Sequence, residues 1–352
     1  MPCSFHMLGY RNQMKRKGGA LKIRLLVLVA CCLLLVACGK ATQEEVIEDV
    51  NKKWNDTKGY ELTASMEVRT GGEPRAYDVN VWHTKPDYYR VSVNPQGETE
   101  QQLIVRNEEG VFVVTPALRK THKFQSEWPK QNSQGYLIGT LAEDLLADKN
   151  AVMTEDEENF VFELATRNVD RTALPVQQIA INKKTMLPTK VTVLDEALQE
   201  QVVILFKEIK LGVQHKAEEY AVEKFSENEE KKAASADIVN TEFRVHYPTI
   251  DWAHTKLTEE LEVQDDGNER VILTFDGEKP FTLMQQPIRY NESILPVFSS
   301  GDPADLGYTI GAITEHSIQW DKDGMSFFIA STELTREELL EVAASVQEGS
   351  IK

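Results

Sequence analysis

Residues 60–68 read Tyr-Glu-Leu-Thr-Ala-Ser-Met-Glu-Val, and their spacing decides the fold class. Tyr60, Leu62, Ala64, Met66 and Val68 alternate with Glu61, Thr63, Ser65 and Glu67. Successive side chains of an extended chain point to opposite faces, so this is a strand with one face buried and one wet. The period of two continues downstream. Gly71-Gly72 turns the chain, and Tyr77, Val79 and Val81 alternate with Asp78 and Asn80. Pro86-Asp87 turns it again before Tyr89, Val91 and Val93. Leu103 and Val105 lie in a fourth strand, Asn107-Glu108-Glu109-Gly110 is a hairpin turn, and residues 111–115 return as a fifth. Residues 119–124 add a short sixth, and 159–166 another. Residues 176–181 and 187–194 flank Asn182-Lys183-Lys184-Thr185 as a hairpin, and 201–210 form a last long strand. Sequential alternating strands of this kind predict one antiparallel, strongly curved sheet.

Two stretches interrupt that period. Upstream, residues 41–55 place Val46, Ile47, Val50 and Trp54 at helical spacing behind a Thr42–Glu45 capping box. Within the segment, Tyr136, Leu137, Leu141, Leu145 and Leu146 predict a second helix. Residues 226–236 are small, polar and charged, the composition of a linker. Shorter elements follow. A strand begins in 237–246, residues 271–275 and 281–285 form a hairpin about Gly277, and 313–320 and 325–330 flank Asp321-Lys322-Asp323-Gly324. That tetrapeptide reads as a hairpin turn and lacks the further ligands of a calcium loop. A Thr335–Glu338 capping box opens a final helix with Leu339, Leu340, Val342, Ala343 and Val346 on one face. The fold class is α+β. The expected domains are 38–225, a sheet with helices, and 237–352, a small α+β module, joined by the linker.

The first forty residues read differently. Lys15, Arg16, Lys17, Lys22 and Arg24 precede an apolar run from Leu25 to Ala37, which ends Leu35-Val36-Ala37-Cys38-Gly39. A basic region, a short apolar region and a small residue before the cut are the parts of a secretory signal. The run is short for an uncleaved span, which needs ~20 apolar residues. Met7 and Met14 are alternative starts to Met1. Residues 1–37 hold six basic residues and no acidic one, so without them the net charge falls from −17 to −23. A chain this acidic is a poor nucleic-acid binder and is repelled by anionic lipid heads. Cys3, Cys31, Cys32 and Cys38 are the four cysteines. The chain beyond Cys38 therefore has neither disulfide nor thiol nucleophile, and its stability rests on packing.

The search for chemistry finds little. His83, His122, His215, His246, His254 and His316 fall in no zinc-binding spacing. No serine elbow and no phosphate-cradling glycine loop occurs. No catalytic residue, metal or cofactor is expected.

The Leu-Val-Ala-Cys ending resembles the lipobox of bacterial lipoproteins, which implies that Cys38 carries the lipid and becomes the mature N-terminus. Residues 41–212 resemble the LolA/LolB lipoprotein-carrier family. The likeness lies in the order of features: an N-terminal helix, a first hairpin, Lys85-Pro86-Asp87-Tyr88-Tyr89-Arg90, then Asn107-Glu108-Glu109-Gly110, a mid-domain helix, and Lys184-Thr185-Met186-Leu187-Pro188. The resemblance implies an incomplete antiparallel barrel with a helical lid and an apolar hollow for acyl chains. Leu62, Met66, Val79, Val81, Tyr89, Val91, Leu103, Val113, Phe160, Phe162, Val191 and Val193 are the candidate lining. Such side chains either line a cavity or fill it. The appended C-terminal part and the anchor depart from a diffusing carrier. Two functions follow as expectations: a lipid-anchored envelope protein on the outer face of the cell membrane that binds a lipid or acyl chain, or a scaffold or sensor for another envelope protein. A cell-wall hydrolase or an anti-sigma factor, in sporulation or germination, is the kind of partner the resemblance suggests.

Overall fold

The computed structural model describes residues 41–69, 74–96, 102–115, 120–124, 128, 134–167, 174–225, 244–249, 255–265, 268–288, 297–306, 309–322 and 324–348. Residues 1–37, Cys38 and the linker 226–236 lie outside them. Helix α1 (Gln43–Asn55) opens on the expected cap: Glu45 N–H donates to Thr42 Oγ1 at 3.3 Å, and Thr42 N–H to Glu45 Oε2 at 2.9 Å. Then come β1 (Gly59–Val68), β2 (Arg75–Thr84), β3 (Tyr88–Pro95), β4 (Leu103–Asn107), β5 (Gly110–Thr115) and β6 (Lys120–Phe124). Helix α2 (Ile138–Ala147) precedes β7 (Val152–Glu155), β8 (Asn159–Ala165), β9 (Val176–Asn182), β10 (Pro188–Leu194) and β11 (Glu200–Leu211). The later part contains β12 (His246–Pro248), β13 (Thr255–Asp265), β14 (Asn268–Gly277), β15 (Phe281–Pro287), β16 (Val297–Ser299), β17 (Asp302–Asp305), β18 (Ile310–Ile313), β19 (Ser317–Lys322), β20 (Met325–Ala330), α3 (Arg336–Ser345) and β21 (Val346–Glu348).

The first sheet runs β16-β6-β5-β4-β3-β2-β1-β11-β10-β9-β8-β7. Its ends, β16 and β7, do not meet, so the sheet stays open. Bulges at Thr63/Ala64, Val193/Leu194 and Pro188/Lys190 bend it. The alternation that predicted β1 is the burial pattern seen there. β7 escaped the sequence reading because it is a short edge strand whose Val152, Thr154 and Glu155 are exposed. β16 escaped it because it pairs with β6 across a long sequence separation, parallel in an otherwise antiparallel sheet.

The second sheet runs β13-β14-β15-β20-β19-β18-β17. Val271, Leu273, Phe327 and Ile329 from its strands and Leu339 and Val342 from α3 form one apolar cluster. Thr335 caps α3 by accepting from Glu338 N–H at 3.3 Å, as its spacing predicts. The expected single strand at 313–320 is two, β18 and β19, bent apart at Thr314, whose hydroxyl bonds Ser317 Oγ at 2.8 Å. Gln285, fully buried, accepts from His246 N–H at 2.8 Å and donates to His246 O at 2.9 Å, tying β12 to β15. Among the described residues no helix is long and apolar enough to cross a membrane.

Candidate functional site

Register decides which candidate lining residues share a face, because residues directly opposite point the same way. Leu62 lies opposite Val81, Val81 opposite Val91, Val91 opposite Ile104, and Ile104 opposite Val113. On the other side, Met66 lies opposite Ile204, Ile204 opposite Val191, Val191 opposite Ile179, and Ile179 opposite Phe162. Val79, Tyr89, Phe160 and Val193 keep the same parity within their strands. Eleven of the twelve therefore form one inner face. Tyr89 is half-buried and the other ten are buried.

Leu103 does not belong there. It lies opposite Ser92 and Val114 and packs on the outer face with Val105, Phe112, Tyr220 and Val222. Both faces of β4 and β5 are apolar, since Ile104 and Val113 fill the inner one, so a period of two carried no sign of which face Leu103 takes. Residues 213–225 cover the outer face. Thr84 and Tyr220 hydroxyls bond at 2.9 Å, Asn107 Nδ2 donates to Tyr220 O at 3.1 Å, and the His215 ring stacks on Trp82 at 4.0 Å.

Part of the inner face is covered by the protein's own helices. Trp54 Nε1–H donates to Met186 O at 2.8 Å, and Asn51 Nδ2 of α1 reaches Ala142 O of α2 at 3.5 Å. Leu141 and Leu145 of α2 are fully buried. A Cβ built on Gly135, just before α2, stands 2.9 Å from Ile204 Cδ1 and 3.4 Å from Val191 Cγ1. The chain thus rests directly on the inner face at its middle, where a Cβ would press on the end of the Ile204 side chain. Asp144 of α2 is buried, accepting from Arg167 Nε and, at 3.3 Å, from Gln177 Nε2. Near Tyr89 the face is aromatic: His83 stacks on Tyr89 at 4.3 Å, Tyr60 tilts against His83 at 5.0 Å, and Trp128 meets Tyr89 edge-on at 5.7 Å. Burial pushes the tyrosine hydroxyls of this group up and lowers the His83 imidazole against the weaker pull of the Tyr88 carbonyl.

A polar cluster joins the two sheets. Lys120 Nζ of β6 pairs with Asp321 Oδ2 of β19 at 2.5 Å, and His122 Nδ1 shares a 2.6 Å hydrogen bond with Ser299 Oγ of β16. His122 Nε2 stands 3.7 Å from the same Asp321 oxygen. Gln102 Oε1 accepts from Ile310 N–H at 2.6 Å. Gln102, Lys120, His122, Ile310 and Asp321 line a cavity of about 40 Å³ together with Val113, Phe124 and Trp320. Serine, histidine and aspartate together suggest a nucleophilic triad, but the arrangement argues otherwise. Lys120 engages the carboxylate, Ser299 is buried, and the space is of the size of a few waters rather than of a substrate. The cluster is a polar fastening between sheets. Its members are far apart in sequence, and Asp321, read as a turn residue, is in fact the penultimate residue of β19, so no spacing motif reveals it. Groups of three or more residues fit to hold a metal are absent among the described residues.

These shifts predict two windows of acid destabilisation. At Asp321 burial acts to raise the carboxyl, but His122, Lys120 and Ser326 outweigh it and hold it below the usual range. Its contribution is present above the unfolded value of about 3.9 and is lost as pH falls through the lower folded value. His83 is held neutral by burial, so stability also declines as pH falls below about 6.5, where the unfolded chain binds the proton more readily. Urea midpoints measured across pH show both slopes; Asp321→Asn shallows the lower one, to which Asp156, Asp195, Glu200 and Glu219 also contribute, and His83→Phe removes the upper one.

The described residues thus form an open, bent sheet, antiparallel but for β16, with two helices on one face. No family model matches the chain. The chain is 36% identical to the sporulation protein YdcC of Bacillus subtilis over 330 residues, 94% of this chain and 98% of that protein, and it belongs to the YdcC family. Among solved structures, a chain of the Pseudomonas aeruginosa MucA/MucB complex aligns at 12% identity and TM-score 0.34, covering 88% of this chain and all of that one. The LolA superfamily protein NE2245 of Nitrosomonas europaea aligns at 11% identity and TM-score 0.30, covering 53% of this chain and all of that one.

Proposed function

We propose that this protein is a lipid-anchored envelope protein, held through Cys38, that serves as a non-enzymatic scaffold for another envelope protein during sporulation. On this reading residues 38–225 form a LolA-like domain with α1 and α2 as its lid, and 237–352 an appended module. The observation that carries it is the occupied inner face: the ten candidate lining residues other than Tyr89 are buried within the protein's own fold, with Gly135 over Val191 and Ile204 and α1 tied by Trp54 to Met186 O. An acyl cargo would have to displace those segments. The kinship with a sporulation protein supports the cellular setting.

Native mass spectrometry of the mature protein tests the scaffold reading against the carrier reading. The expected mass is that of the polypeptide plus its covalent anchor. A further lipid, released on denaturation, would overturn the scaffold reading and restore the inner face as a binding cavity. Crosslinking in sporulating cells is expected to recover one stoichiometric envelope protein. Recovery of none at any stage would count against a scaffold.

A further inference from the structure

Six large hydrophobic side chains are exposed among the described residues: Leu146, Val152, Leu198, Leu205, Leu261 and Phe298. Scattered singly, such residues require no explanation. Three of them are not scattered. Leu194 lies opposite Glu200 and Val176, and Val176 opposite Ala165. Ala165 N–H donates to Asp148 Oδ2 at 2.8 Å, and Val152 lies opposite Glu163. Leu198 in the β10–β11 turn, Leu146 at the end of α2 and Val152 at the start of β7 therefore stand on one rim of the first sheet. Strands about 4.8 Å apart place Leu198 and Val152 roughly 15 Å from each other along the rim.

The turn is built to present Leu198. The Asp195 carboxylate accepts from Ala197 N–H at 2.9 Å, Gln199 N–H at 2.8 Å and Gln201 Nε2 at 2.6 Å, fixing the loop. Leu198 has φ +58° and is 62% exposed. Glycine or asparagine suits that left-handed position, so leucine there strains the backbone and also wets an apolar side chain. Both costs make sense if the neighbour is not water.

Helix α1 points to the same rim. Its Trp54 end is fixed at the opposite rim, in the Asn182–Leu187 turn, while Asn51 lies beside the middle of α2. Followed back to Ile47, the helix runs towards the Leu198 rim. Eight residues separate Ile47 from Cys38, a reach of at most about 30 Å.

We infer that Leu146, Val152 and Leu198 form a membrane-contact rim that seats the first sheet end-on against the lipid surface. The inference rests on the anchor at Cys38 proposed above. The contact is apolar rather than electrostatic, because the mature chain is strongly acidic.

The test uses the full lipidated protein in phosphatidylcholine vesicles. The mature chain has no cysteine beyond Cys38, so Val152→Cys, Leu198→Cys and, on the opposite rim, Lys184→Cys each give one reactive thiol for an environment-sensitive fluorophore. Expected is flotation of all three with the vesicles, a blue-shifted emission at 152 and 198, and quenching by nitroxide lipids several-fold stronger there than at 184. Flotation with equal quenching at both rims, or none, overturns the rim and leaves the anchor standing. Failure to float overturns the anchor and the rim together. Leu198→Asn, which suits the turn and leaves the fold intact, is expected to weaken quenching at 152 at least twofold; unchanged quenching at 152 counts against a shared contact.

Discussion

Truncating Phe162 to alanine is expected to lower the unfolding free energy by about 3–5 kcal/mol, the cost of a large aromatic removed from a packed site. Phe162 is fully buried on β8, opposite Ile179 and Met153 and on the face that α2 covers. Were the face hollow, the ring would already border empty space. The loss would then be nearer the transfer term alone, about 1.5–3 kcal/mol. Urea unfolding at neutral pH measures the difference, read from the midpoint with an unchanged slope. A cost below about 2 kcal/mol favours a ligand cavity under the helices. Leu103→Ala provides the comparison on the outer face, with an expected cost of about 2–5 kcal/mol beneath residues 213–225.

Arg167→Ala is the second large effect, about 3–5 kcal/mol, because it strands a carboxylate that water cannot reach. The side chain of Asp144 is wholly buried while that of Arg167 is 31% exposed, so the pair is asymmetric. Asp144→Asn leaves an arginine able to turn towards solvent and Glu143, which it already meets at 3.2 Å. That variant is expected to lose less than Arg167→Ala. The double variant Arg167→Ala/Asp144→Asn is expected to recover part of the loss, since no buried charge remains. Equal losses in both single variants, with simple additivity in the double, would sink this account of how α2 is held to the sheet.

Much of this was legible in the sequence, for identifiable reasons. Strands with one wet face, such as β1 and β2, announce themselves by alternation, and both capping boxes fixed helix starts. Inner-face membership followed wherever one face was polar. It failed at Leu103, where Leu103, Ile104 and Val105 are all apolar because both faces of β4 are buried, the outer one beneath residues 213–225. β7 and β13 were missed because exposed edge strands need little apolar surface. The Lys120–His122–Ser299–Asp321 cluster was invisible, since only the tertiary fold brings those side chains together. Asp144, a charged residue within the apolar pattern of α2, is a signal of a buried ion pair that the sequence itself carries.

The three-residue strand β16 has a consequence in time. Ser299 pairs beside Phe124, so the last strand of the first sheet is supplied 175 residues after the strand it shields. At about 5–20 residues per second, a ribosome finishes the template roughly 10–35 s before its cover exists. Through that interval Lys120–Phe124 is a bare ladder of amides and carbonyls, ready to pair with any extended neighbour. The nascent first sheet is therefore most prone to wrong partners while the second half of the chain is still being made, and a chain truncated before residue 297 would carry that hazard permanently.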